Sequence, residues 1–233
     1  MSGAGWSQDW LDSGVTRLDM LAWRGVEAQH IVSTLRLVDT SGEQEMLERL
    51  LEVSKPPAPL MKVPKHYLIF TPFRYRPEHS SQFRPAGSLG LWYGAENLFA
   101  ACAEVAYWRN RFVLDSAGLV MADVLSVHTF YQAKVDGLAV DLMSSPWVAA
   151  RDEWMHGSDY SQTHAVAEAA RSKGVQWICY ESVRAEGNRC AAVLDVEAVD
   201  LVSNDSQHQT WQCNANRSSV MMQHGSDCYV WNF

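Results

Sequence analysis

The 233-residue chain lacks most of the short signatures that would place it at once. It contains no GxxxxGK[ST] phosphate loop and no GxGxxG turn after a strand, which excludes the two commonest nucleotide cradles. It has no CxxC and no HExxH, and its eight histidines form no tight ligand pair, so no metal is expected. The cysteines are Cys102, Cys179, Cys190, Cys213 and Cys228, an odd set without metal-type spacing. That pattern points to reduced thiols in a cytoplasmic protein rather than a disulfide framework. The opening MSGAGWSQDWLDSG has neither a basic nor an apolar leader region, so no signal peptide is expected. No apolar run approaches the ~20 residues of a membrane span, and no membrane association is expected. Internal repeats and low-complexity tracts are also missing.

What is present is an ordinary globular composition, 47% apolar and 20% charged, enough to bury a full core. Ten tryptophans read first as bulky core filler. The net charge of −8 argues against a broad phosphate-binding surface, and so against direct nucleic-acid binding. The charge is uneven, however. Residues 61–111 carry 7 basic against 3 acidic groups, a local +4, while 1–60 carry −4 and 112–233 carry −8. A basic window in an acidic chain suits a small anionic ligand.

Along the chain, residues 8–54 read as helices. Val15, Leu18, Leu21 and Ala22 share one helical face, and Ile31, Thr34, Leu35 and Val38 another. Ser41 through Gln44 matches a capping box opening a further helix whose buried stripe would be Met46, Leu47, Leu50 and Leu51. Pro56, Pro57 and Pro59 then stop the helical pattern, dividing a helical N-terminal extension (1–60) from a main domain (61–233). Tyr67–Phe70 and Phe73–Tyr75 read as strand, followed by a polar turn from Pro77 to Gly90. Leu91–Gly94 reads as a strand feeding a helix with the stripe Leu98, Ala101, Cys102, Val105 and Phe112. Glu104 sits at the border of that stripe, about 80–100° from its centre. Residues 120–142 alternate as one or two strands around Asp136-Gly137. Asp159–Gln162 is a second capping-box pattern, its helix stopped by Gly174. Strands are expected at Val175–Tyr180 and Cys190–Leu194, with short strands in the tail. Strands and helices mix without strict alternation, so the expected class is α+β.

The chemistry concentrates between Pro72 and Arg111. Arg74 and Arg84 could pair with a diphosphate, because a guanidinium makes two parallel hydrogen bonds to phosphate oxygens. Tyr75 or Tyr93 could stack on a flat ring. Glu104 supplies one carboxylate on an otherwise apolar stretch.

These residues resemble the RES-domain family. The resemblance is carried by Phe73-Arg74-Tyr75, Ser81-Gln82-Phe83, Leu91 to Gly94, Ala101 to Val105, Tyr160 to Gln162, and Tyr180 to Arg184 with Gly187 and Cys190 to Val193. Eleven residues separate Tyr93 from Glu104, again similar to the family. The resemblance covers roughly 66–233 and looks closest to a long form with an N-terminal helical extension. It implies a fold similar to ADP-ribosyltransferases, with a mixed, split sheet and flanking helices. It also implies a toxin that consumes NAD as substrate, neutralised by an Xre-type antitoxin or another immunity protein. Carried over by residue, Arg74 is the first arginine, Tyr93 the pocket tyrosine, Glu104 the helical glutamate and Ser182 the serine. Gln82 departs from the pattern, standing where the family has a second arginine. Arg84 or Arg76 could replace that group, or activity could be weakened.

The reaction so implied needs no general acid, since nicotinamide leaves a cationic ring as a neutral one. A carboxylate stabilises the oxocarbenium-like transition state. Glu104 would do this, Arg74 would hold the diphosphate, Tyr93 would pack on nicotinamide or its ribose, and Ser182 would bond the carboxamide or ribose. Two other classes stand beside it. One is a binding module that has kept the pocket without catalysis. The other is a hydrolase using Cys102 or Cys179 with His128 or His164. The acceptor of ADP-ribose (water, phosphate or protein) and the formation of a homo-oligomer are left open by the sequence.

Overall fold

The computed structural model describes residues 5–28, 34, 37–202 and 208–233. Its helices are α1 (Asp9–Gly14), α2 (Ser41–Ser54), α3 (Tyr67–Arg74), α4 (Leu98–Leu114), α5 (Arg151–Trp154) and α6 (Ser161–Ser172). Its strands are β1 (Val15–Glu27), β2 (Trp92–Ala95), β3 (Val124–Asp141), β4 (Trp177–Glu181), β5 (Arg189–Val193), β6 (Val199–Leu201), β7 (His208–Ala215), β8 (Ser219–His224) and β9 (Asp227–Asn232). Among the described residues all nine strands belong to one mixed sheet flanked by helices, so the class is α+β as expected.

The sheet is organised by β3. One edge pairs with β1 in antiparallel register from Val15↔Val140 to Glu27↔His128. The other edge is shared by β7, β6 and, in parallel, β4. Because β1 also meets β2, and β2 continues through β5 to β4, the strands β1, β2, β5, β4 and β3 close into a ring. Its narrowest seam is between β1 and β2, which share the single pair Trp23↔Ala95. Both faces of the ring are buried. Tyr131, Ala133 and Val135 of β3 face a core with Trp92 and Trp177, while Phe130 and Val140 face α4 and α6.

Several expectations are corrected. Val15–Glu27 is a strand, not a helix. Val15, Leu18 and Ala22 satisfy a helical spacing, but Met20 and Ala22 bury at strand spacing, and a long partner remote in sequence decides between the two. Asp136-Gly137 makes no turn: it lies inside β3 opposite Asp19 and Leu18. Arg17 pairs with Asp136 at 2.7 Å, and an added Cβ on Gly137 would lie 2.6 Å from Gln176 Oε1.

Tyr67–Arg74 is helix rather than two strands. Ile69 and Phe73 bury one turn apart, and His66 Nδ1 caps the start by accepting from the Leu68 N–H at 3.3 Å. Pro72 has no N–H for the Leu68 carbonyl, and the Tyr131 hydroxyl donates to that carbonyl instead at 2.8 Å.

The capping box of α2 uses Thr40 and Glu43, one residue earlier than expected. Its apolar stripe is not buried: Met46, Leu50 and Leu51 are exposed. The expected Asp159 box is replaced by a single bond, the Ser161 N–H donating to Asp159 Oδ1 at 2.9 Å. Gly174, at φ +72°, follows α6 as anticipated. Of the expected face around residue 31, Ile31 and Leu35 lie outside the described residues.

Candidate functional site

Helix α4 is capped by Asn97, whose side chain accepts from the Ala100 N–H at 2.8 Å. Ala100, Ala101, Cys102, Ala103 and Ala106 are buried, so small side chains let the helix approach the sheet closely. That approach brings Glu104 into the protein, where the loop after β4 meets it. Ser182 is fully buried there. Its hydroxyl accepts from the N–H groups of Arg184 (3.2 Å) and Ala185 (3.0 Å) and donates to Glu104 Oε1 at 2.7 Å. With both lone pairs engaged, its one hydrogen is directed at the carboxyl group. Burial pushes the Glu104 pKa above its usual value, and the Ser182 bond and Arg184 oppose that rise.

Glu104 lines a cavity of about 410 Å³. Tyr93 stands across it, its hydroxyl taking the Phe83 N–H at 3.1 Å and bonding Ser81 Oγ at 3.0 Å. Gln82 lines the same cavity and is anchored by a bond from Nε2 to the Trp154 carbonyl at 2.9 Å. Three guanidinium residues join them. Arg24 comes from β1, its Nη1 donating to the Tyr93 carbonyl at 2.9 Å, with its guanidinium 5.6 Å from the Trp92 ring. Arg184 lies 3.5 Å over the Tyr107 ring and donates to the Gly157 carbonyl at 2.8 Å. Arg109 pairs with Glu27 at 3.3 Å. His128 also faces this end. Burial and nearby Arg109 push its pKa down to about 4, so it is neutral at physiological pH.

The structure brings together Gln82, Tyr93 and Glu104, with Ser182 directly behind the carboxyl. Arg74 is elsewhere: it pairs with Glu52 at 2.9 Å and donates to the Pro56 carbonyl, outside the lining of the cavity. Arg84 is buried and turned onto its own loop, donating to the carbonyls of Pro77 (3.1 Å), Pro85 (3.3 Å) and His79. Tyr75 and Arg84 line an adjoining cavity.

Sequence reasoning missed Arg24, Arg109, Tyr107 and Arg184. Arg24 was hidden inside a segment read as helix. Arg184 ended a quoted motif, and only the tertiary structure lays it on Tyr107. The thiol reading gains no support, since Cys102 and Cys179 are buried and burial pushes both up to about 12. Among the described residues no group of three or more His, Cys, Asp or Glu could hold a metal. Nor is any described helix long and apolar enough to cross a membrane.

The RES domain family model matches residues 59–216, more than half of the chain. The protein therefore belongs to the RES-domain family, whose toxins are generally NAD-consuming enzymes. The match begins after β1, so Arg24 lies outside it. No curated protein matches the sequence. Among solved structures, a chain of the M. tuberculosis MbcT–MbcA toxin–antitoxin complex is 14% identical. That alignment covers 90% of this chain and 92% of the other, with a TM-score of 0.48.

Proposed function

We propose that this protein cleaves the bond between nicotinamide and ribose in NAD and passes ADP-ribose to water, phosphate or a protein side chain. The observation that carries this reading is the half-buried Glu104 carboxyl, held by the Ser182 hydroxyl in a cavity that also presents guanidinium and tyrosine groups. In the ground state the nicotinamide ring is cationic, and as it departs the charge passes to the ribose. A fixed carboxylate in a site shielded from water stabilises that developing charge more strongly than it would in solution. The cationic substrate would also favour the ionised form of Glu104, offsetting the effect of burial.

Within this reading the roles shift from those first expected. Arg24 takes the diphosphate, because Arg74 is engaged with Glu52 away from the cavity. Tyr93 supplies the ring against nicotinamide or its ribose. Ser182 acts by orienting Glu104 rather than by touching substrate. The NAD-binding unit then reaches back to β1, before the division first drawn at residue 60. An antitoxin, of Xre type or another class of immunity protein, is the partner this family membership suggests.

The test is to incubate the purified chain with NAD, with and without phosphate, and to identify the products. Free nicotinamide with ADP-ribose marks water as acceptor, and ADP-ribose 1″-phosphate marks phosphate. Labelled protein marks transfer to a side chain. Tight NAD binding with no nicotinamide release over hours would overturn catalysis. It would favour a non-catalytic binding module.

A further inference from the structure

A second cavity, about 530 Å³, adjoins the first, and the two share Arg24, Ser81, Tyr93 and Trp108. Both volumes fall in the roughly 300–1,000 Å³ range of small-molecule sites. The cavities use opposite faces of β1. Trp23, Gly25 and Glu27 line the first, Val26 lines the second, and Arg24 lines both. This follows from strand alternation at the place where the β1–β2 ladder is reduced to its one pair. There Arg24 reaches across to the Tyr93 carbonyl.

The linings of the two cavities differ in chemistry. The first contains the carboxyl groups of Glu27 and Glu104, whereas among the described residues no Asp or Glu lines the second. The second is walled by Tyr67, Leu68, Pro72 and Tyr75, with Arg84 and His79 at its polar side. Flat and apolar walls beside the guanidinium groups of Arg24 and Arg84, with no carboxylate among the described lining residues, suit a nucleoside phosphate.

Resting on the NAD-cleaving reading above, we propose that the second cavity is the subsite for the adenosine monophosphate half of NAD. The dinucleotide would pass over the shared rim with its diphosphate against Arg24. This places the scissile bond beside Glu104 and the adenine against the tyrosines of α3 and the residues that follow it. Much of the second cavity is supplied by α3 and the loop from Tyr75 to Leu91, so this segment decides which dinucleotide-like substrates are accepted.

The test uses the full chain with Tyr75→Ala, which removes an aromatic wall, and Thr71→Trp, which fills the cavity from α3. Nicotinamide release is measured from NAD and from nicotinamide mononucleotide, which lacks the adenosine half. Binding of NAD and AMP is followed by tryptophan fluorescence, with Trp108 on the rim as reporter. The ratio of kcat/KM for NAD to that for the mononucleotide should fall about five- to tenfold in Tyr75→Ala, the size of a lost stacking contact, and further in Thr71→Trp. AMP should raise the KM for NAD without lowering kcat. An unchanged ratio in both variants overturns the subsite while leaving NAD cleavage standing. AMP that lowers kcat at constant KM also overturns it, by making the cavity a separate effector site. If the wild type releases no nicotinamide, the cleavage reading fails by itself. Weaker AMP and NAD binding in the two variants then still supports the subsite, and unweakened binding overturns it.

Discussion

Replacing Ser182 with alanine isolates the contact on which the site depends. The hydroxyl makes one charge-assisted bond to Glu104 Oε1 at 2.7 Å and accepts two backbone N–H groups. Losing a donor to an ionised carboxylate costs about 1.5–3 kcal/mol, and that cost falls on the ionised form alone. It therefore raises the Glu104 pKa further beyond a value already raised by burial. If ionised Glu104 is the working form, the acid limb of the kcat–pH profile moves to higher pH. Turnover then falls about 10–100-fold on the acid side of the profile, at about 1.4 kcal/mol per tenfold, and recovers toward wild type at alkaline pH. The assay is nicotinamide release from NAD across pH 5–9, with folding checked by circular dichroism at each pH. A loss of equal size at every pH would show that Ser182 merely holds the loop. A limb that stays in place, or moves down, would refute the argument.

Glu104→Gln should abolish most turnover yet leave NAD affinity within several-fold, since the charge acts mainly in the transition state. A raised folded-state pKa means that the native protein binds more protons than the unfolded chain, so this group's contribution to stability declines as pH rises from about 4.5 through the folded value. The Gln variant should therefore hold its Tm at pH 8 at or above that of wild type, and a clear drop would count against a carboxyl that desolvation destabilises when ionised. Arg24→Ala should weaken NAD binding by about 10–100-fold, the loss of a charge-assisted phosphate pair, whereas Arg74→Ala should leave it unchanged. The opposite ranking in a titration would return the diphosphate to Arg74. His128 has a folded pKa of about 4 against 6.5 ordinarily, so its contribution is complete above pH 6.5 and is lost as pH falls through 4. Urea unfolding should show on the order of 2–3 kcal/mol lost between pH 7 and 4.5 from this group, and His128→Gln should flatten that dependence. Equal slopes for the two proteins would remove the assignment.

The chemistry was legible in the sequence where it depends on local pattern. Leu98–Leu114 is a helix because its stripe and Asn97 cap specify one, and helical spacing alone puts Glu104 on the border of that stripe. The strand at Trp92–Ala95 was legible for the same reason, whereas the eleven-residue step from Tyr93 to Glu104 and the serine at 182 stood out only through the resemblance to the RES-domain family. What a single segment could not determine was anything fixed by a distant partner. Val15–Glu27 fits a helical spacing by itself and becomes a strand only because β3 offers thirteen paired positions more than a hundred residues away. That pairing puts Arg24 in the site. Tyr67–Arg74 contains a proline and reads as extended, yet the Tyr131 hydroxyl takes the carbonyl that Pro72 leaves free, and the helix forms. As a result Arg74 points to Glu52 and the wall of the second cavity is helical. Which residues carry charge and aromatic surface was therefore set by the sequence alone. That Arg24 lines the same cavity as Glu104 was decided by long-range strand pairing, because a short segment's own preferences are weaker than the burial and hydrogen bonds a remote strand supplies.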